Sequence, residues 1–200
     1  MSVIVPGGLF LGYYESDPRA PRNAVDPLEG EVSCHVLDHE ANGVIVAITD
    51  AKLHTINLRA QSSVPNQPTG TSIRLDDQSI IAEVSGLARY RNISTHAQNS
   101  LAEVITKIIL ENPEPYLSFY NRAGNLSLKM HAFAILPGIG NKKALEMVDL
   151  RGRDGWDDFA KLDADCGINA AELLADRLAK EIADKHLEPR LVELLLRREE

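Results

Sequence analysis

Hydrophobic and polar positions alternate in short stretches from Val3 to about Val84, and the period then lengthens. In "EVSCHVLD", Val32, Cys34, Val36 and Asp38 fall on one face, and Ser33, His35, Leu37 and His39 on the other. "GVIVAIT", "KLHTINLR" and "TSIRL" continue the same β-branched, strand-length style. Asn42-Gly43, Asp50, "SSVPNQPTG" and Asp76-Asp77 supply turns between them. About five short strands with no long helix between them predict a compact antiparallel barrel or sandwich over residues 1–90, with a small closed barrel of the OB type as the first choice.

After Gly86 the pattern turns helical. In "STHAQNSLAEVITKIILENP", Thr95 is the expected N-cap with Gln98 three residues on. Leu101, Val104, Ile105, Ile108 and Ile109 form the apolar face, and Asn112-Pro113 ends the helix. A second helix, "PYLSFYNRAG", stops at Gly124, and Ser127 is expected to cap a third, "LKMHAFAIL", with Leu128, Ala132, Ile135 and Leu136 on one side. "NKKALEMVDL", "WDDFAKL", "NAAELLADRLAKEIADKH" and the tail "PRLVELLLRR" follow. The expected fold class is α+β, with an all-helical domain over 91–200 behind the barrel.

Charge narrows the possible partners. A formal net charge of −8 repels nucleic acid and anionic membrane at long range, so binding either one requires a local basic patch. Cys34 and Cys166 are far apart and form no repeated spacing, which suits reduced thiols in a cytoplasmic protein. The apolar start "MSVIVPGGLFLGYY" has no cationic flank, contains a Pro-Gly-Gly break and is too short to span a bilayer, so neither a signal peptide nor a membrane segment is expected.

The patch is found around "LPGIGNKKALEMV". A hairpin of a few residues between helices bends the backbone through conformations that glycine adopts cheaply, and Gly138 and Gly140 supply them. Leu136, Ile139, Ala144, Leu145 and Val148 close a small core between the helices. The amides of Ile139, Gly140 and Asn141 are then unsatisfied donors at a helix N-terminus, where hydrogen bonding and the helix dipole together favour a phosphate oxygen. Lys142 and Lys143 stand in the first turn, where that dipole disfavours cations unless an anion is present. From Asn121 to Leu145 the ionic side chains are Arg122, Lys129, Lys142 and Lys143, with no Asp or Glu. Contacts to backbone phosphate, without base reading, are expected.

This stretch resembles the helix-hairpin-helix consensus of nucleic-acid-binding and repair proteins. The wider run "YLSFYNRAGNLSLKMHAFAILPGIGNKKALEMV" resembles the archaeal domain-of-unknown-function family 655, closely over roughly residues 70–185 and in outline before that. That resemblance implies an OB-like barrel followed by tandem helix-hairpin-helix motifs, over about 128–185, and binding of nucleic acid, RNA rather than DNA. It brings no known reaction and no cofactor. Asp76-Asp77 stand where the resemblance leads one to expect a basic segment, which argues against a contact at that corner.

Other features have plainer readings beside the sharp ones. "DCGINAAELLADRLA" echoes the motif without the second glycine and both lysines, and is expected to complete a tandem unit by packing. Tyr90 between Arg89 and Arg91 could stack a base beside a phosphate, or simply end a strand with solvated arginines. Cys34, His35 and His39 lack the clustered fourth ligand of a zinc site, so no metal is expected. His131 is expected to pack or cap. Lys142 also occupies the place of the nucleophilic lysine in glycosylase-lyases that share "LPG-x-G", with Asp154, Asp157 and Asp158 downstream, but the surrounding pattern differs. A non-catalytic nucleic-acid-binding protein is therefore the expectation. A protein-interaction module is the alternative, and a lyase the least supported.

Overall fold

The computed structural model describes residues 26–196. The strand pattern from Val3, Tyr13 and Tyr14, the leader reading and the last four residues of the tail lie outside the described residues. The chain is mixed α+β, with strands first and helices after them.

Five strands, β1 (Ser33–His39), β2 (Val44–Thr49), β3 (Thr55–Ala60), β4 (Ser72–Arg74) and β5 (Ile81–Leu87), form one antiparallel sheet in the order β4-β1-β2-β3-β5. The sheet curls into a half-barrel. Among the described residues β4 and β5 are its two edges and do not pair, so the closure expected of a barrel is not made. Both faces are nonetheless buried. Cys34, Val36, Ile45, Ala47, Ile56, Leu58, Ile73 and Ile81 fill one core. Leu37, Val46, Ile48 and Leu53 join the helices in the other.

A bulge at Leu37 changes the alternation read from "EVSCHVLD". Val36 pairs with Ala47 and Asp38 with Val46, so Leu37 is an extra residue and the side chains after it change face. Asp38 therefore turns from the Cys34 side to the helices, where its carboxylate accepts from Ser94 Oγ. Two further irregularities between β3 and β5 break the period of two in "IIAEVSGL", and no strand is legible there from pattern alone.

Helix α1 (Thr95–Glu111) lays Leu101, Val104, Ile105, Ile108 and Ile109 on the sheet, as its spacing requires. Its N-cap is Ser94 rather than Thr95: Ser94 Oγ accepts from the Ala97 N–H, and Gln98 Nε2 folds back onto the Ile93 carbonyl. After α2 (Glu114–Arg122), the helix expected from Ser127 is absent. In its place stand a hairpin, β6 (Asn125–Ser127) and β7 (Met130–His131), and a 3₁₀ turn over Ala132–Ile135. The Ala132 N–H donates to the Gly124 carbonyl and the Phe133 N–H to His131 Nδ1, which spends on the hairpin the donors a helix needs. Pro137 then holds Leu136 extended, with ψ of 140°.

The remaining helices are α3 (Asn141–Arg151), α4 (Phe159–Cys166), α5 (Ala170–Ala183) and α6 (Leu191–Leu195). Trp156, Phe159, Leu162, Leu174 and Leu178 carry the shared core through them. Arg177 and Glu181, both buried on α5, pair at 2.8 Å; Glu181 Oε2 accepts from the Val192 N–H and Arg177 Nη2 donates to the Pro189 carbonyl. That network ties α6 to α5. No helix among the described residues is long and apolar enough to cross a membrane.

Candidate nucleic-acid interface

The glycine loop runs from the 3₁₀ turn into α3. Gly138 has φ of +77°, a left-handed conformation that costs any other residue about 1–2 kcal/mol. Gly140 does not share that role: it is extended at φ −83°, ψ 169°, and acts as the N-cap of α3 without a side chain to do the capping. The Ile139 N–H donates to the Leu136 carbonyl at 3.1 Å and its side chain is buried, which removes Ile139 from the expected phosphate contacts. The amides of Gly140, Asn141, Lys142 and Lys143 meet no acceptor among the described residues, because the first bond of the helix is Ala144 N–H to the Gly140 carbonyl.

The two lysines differ. Lys143 pairs with Glu146 at 3.0 Å and faces α4, where its charge pulls the Cys166 thiol down against the burial that pushes it up. Lys142 is exposed and makes no ion pair with any described residue. The loop therefore offers one unengaged cation beside its row of amides.

The second, related turn meets the same need from within. Gly167 ends α4 at φ +63°, matching Gly138, and Asn169 leads into α5 with no side-chain cap of its own. Here Asp163 Oδ1 accepts from the Ala170 N–H at 2.7 Å. Burial raises the Asp163 carboxyl, and the bond from Ala170 opposes that shift. When the two Gly-Ile steps are superposed in sequence, Ala170 falls on Asn141 and Asp163 on Ala134. An internal oxygen thus meets the first amide of α5, whereas none of the described residues does so at α3. The sequence contained this signal, an acid four residues ahead of Gly167 and an alanine four ahead of Gly138, but it is meaningful only once Asp163 is seen to accept from Ala170; the turns share the left-handed glycine and not the backbone after it, Gly140 lying at ψ 169° and Asn169 at ψ 86°.

The other expected contacts are distributed unevenly. Lys129 sits at the tip of the β6–β7 hairpin, which packs on α3, and Arg122 is exposed in the last turn of α2 just before that hairpin. Arg89, Tyr90 and Arg91 belong to a different neighbourhood: a 3₁₀ turn over Tyr90–Asn92 that packs on α5. Tyr90 is half-buried against the shared core and is not a free stacking platform, while both arginines are exposed. His131 is buried, with Nδ1 accepting from Phe133 N–H and Nε2 3.1 Å from the Ala123 carbonyl. Its role is to clamp the hairpin base. Arg151 was not singled out from the sequence. Its guanidinium donates to the Tyr120 and Ala123 carbonyls and lies over the Phe133 ring, which directs it inward.

The remaining candidates serve the fold. Cys34 points into the sheet core, where burial pushes its thiol up to about 12, and His35 points to the opposite side. Both His35 ring nitrogens face carboxylates, Nδ1 at 2.7 Å from Asp50 and Nε2 at 3.0 Å from Glu111. His39 Nδ1 accepts from the Gln67 N–H. Asp158 caps α4 through the Lys161 amide. A cleft of about 480 Å³ lies at the β1–β2 turn, lined in part by His39, Asn42 and Arg59, and includes no residue of the glycine loop.

Comparison with known proteins places this geometry in a family setting. The chain matches the family model described as "Protein of unknown function (DUF655)" over residues 28–191. It is 21% identical over 104 residues to the uncharacterized protein MJ0038 of Methanocaldococcus jannaschii, a match covering 52% of this chain and 48% of that protein. The chain thus spans about half the length of that curated relative. The crystal structure of Af1531 from Archaeoglobus fulgidus, of the same family model, shares the fold with a TM-score of 0.72 at 18% identity, over 81% of this chain and 99% of that one.

Proposed function

The chain belongs to this family of unknown function, DUF655, and from that premise we propose that it is a non-catalytic nucleic-acid-binding protein that grips a backbone phosphate with the loop before α3. One observation carries the reading: two turns of related sequence, each with a left-handed glycine, lead into helices, and among the described residues only the one followed by Lys142 and Lys143 lacks an internal oxygen on its first amides. A phosphate oxygen supplies what Asp163 supplies at the other turn, and Lys142 adds an unengaged charge. Asn141 and Lys142 amides are the central donors, with Gly140 leaving the approach open. On this reading the two turns are tandem helix-hairpin-helix units, the first binding and the second structural. The 3₁₀ turn over Ala132–Ile135 takes the place of the first helix in the first unit.

A grip on phosphate does not separate RNA from DNA. RNA is the proposed ligand because of the family resemblance, and the half-barrel is proposed as an incomplete OB-like unit that supports the helices. The test is binding of wild type, Lys142→Ala and Lys143→Ala to structured RNA, single-stranded RNA and duplex DNA across a salt series. Lys142→Ala should flatten the slope of log affinity against log salt by about 0.7–0.9 on all three ligands. Lys143→Ala should change it less, because its ammonium already pairs with Glu146. Absence of binding by wild type, or an unchanged slope for Lys142→Ala, would leave the loop as scaffold and turn the search to protein partners.

A further inference from the structure

The β6–β7 hairpin has a tip that its own folding does not explain. Ser127 pairs with Met130, so Leu128 and Lys129 form a two-residue turn. Such turns favour Asn, Asp or Gly, which reach positive φ at low cost. Here neither tip residue is at positive φ, and the leading position holds a leucine that is 104% exposed. Leu126 and Met130 flank it, so three of the nine large exposed hydrophobics among the described residues crowd into five positions. A solitary exposed leucine needs no explanation, whereas an apolar cluster raised on a hairpin does.

The mount is stiff. The Ala132 N–H donates to the Gly124 carbonyl at 2.9 Å, Arg151 Nη1 donates to the Ala123 carbonyl at 2.7 Å, and His131 Nε2 meets the same carbonyl. The hairpin also packs on α3, the helix that carries Lys142. Its charge surroundings select one occupant: Arg122, Lys129 and Lys142 are exposed, and no carboxylate occurs between Asn121 and Leu145. An apolar tip with Lys129 beside it and Arg122 and Lys142 on the helices before and against the hairpin suits a ligand that presents apolar faces between negative charges, as nucleobases between phosphates do; the acids of α3 follow Leu145, and Glu146 is paired with Lys143.

We propose that the β6–β7 hairpin is a wedge, in which Leu128 packs on the exposed face of a base at a junction between duplex and single strand while Lys129 meets the adjacent phosphate. This rests on the nucleic-acid reading above and adds a substrate class to it. A junction offers an unstacked base face that continuous duplex hides, so the wedge confers preference by structure rather than by sequence.

The probe is an RNA duplex with a single-stranded overhang and 2-aminopurine at the junction, compared with the same duplex made blunt and labelled internally. Wild type should bind the junction more tightly and change its fluorescence. Leu128→Ser should abolish the change and weaken junction binding roughly five- to tenfold, with the salt slope and blunt-duplex affinity unaltered. Because Leu128 is fully exposed, this substitution leaves the fold intact. Lys142→Ala gives the opposite pattern: a flatter slope on every probe, with the fluorescence change retained. If wild type binds and responds to Lys142→Ala, yet Leu128→Ser behaves as wild type at the junction, the wedge is wrong and the phosphate grip stands. If wild type binds no probe, both fail. A change of oligomeric state on Leu128→Ser, measured by sedimentation without nucleic acid, would also overturn the wedge, by assigning the tip to a second copy of the chain.

Discussion

Gly138 and Gly140 stand two residues apart and do different work. At φ +77°, Gly138 adopts a backbone state in which a Cβ is strained, although none of its surroundings would collide with one. Gly138→Ala should therefore cost about 1–2 kcal/mol of stability, read from urea denaturation. Gly140 lies in ordinary extended space and has open room around it, so it bears a side chain at will. Aspartate at an N-cap accepts from the amides of the first turn and stabilises a helix by about a few tenths of a kcal/mol over glycine. Gly140→Asp copies what Asp163 does at the second turn, and it should raise stability while weakening phosphate binding at least tenfold. A variant that gained stability and kept its affinity would show that the amides are not where the anion sits.

Among the elements, the β6–β7 hairpin shows where reading the sequence stops. "LKMHAFAIL" has apolar spacing acceptable for a helix, and nothing in the spacing reveals that His131 and Gly124 take up the amides a helix would use. α1 lacks such competition: Leu101, Val104, Ile105, Ile108 and Ile109 repeat over about two and a half turns, so its face was legible and only its cap moved by one residue. The motif loop was legible as glycine, apolar and lysine positions, but Ile139's donation to Leu136 and Lys143's pairing with Glu146 depend on how the turn closes. His131 makes the hairpin sensitive to pH. Burial, and secondarily the charge of Arg151, hold its imidazole below the ordinary histidine value, opposed by the bond to Ala123. The unfolded chain therefore binds the proton first as pH falls through about 6.5. The stabilising contribution is complete above that value and declines below it. An NMR titration should show a His131 midpoint below 6.5 and a loss of Phe133 amide protection on protonation; a midpoint at or above 6.5 contradicts the clamp.

Across the whole molecule, sheet and helices are held by one core, and polar ties cross the same boundary. Leu37, Val46, Ile48 and Leu53 pack with the α1 face, Ser94 donates to Asp38, and Lys107 Nζ donates to the Gly70 carbonyl at 2.7 Å. The most buried of these ties is His35, 1% exposed on β1 and set between Asp50 at the end of β2 and Glu111 at the end of α1. Removing it leaves two carboxylates facing each other across the seam; the approach of Glu111 to Nε2 is electrostatic, since that nitrogen, like Tyr116 OH, makes no hydrogen bond among the described residues. Asp50 and Glu111 are partly exposed, so water relieves some of that cost, and His35→Ala should lose about 1–3 kcal/mol. Because the core is continuous, wild type should unfold in one transition, with circular dichroism in the far ultraviolet and Trp156 fluorescence changing together. His35→Ala should shift both probes equally. If far-ultraviolet dichroism and Trp156 fluorescence separate in wild type, the sheet is an independent unit resting on the helices. The phosphate loop would then be carried by the helical half alone, and the sheet could be lost without loss of binding.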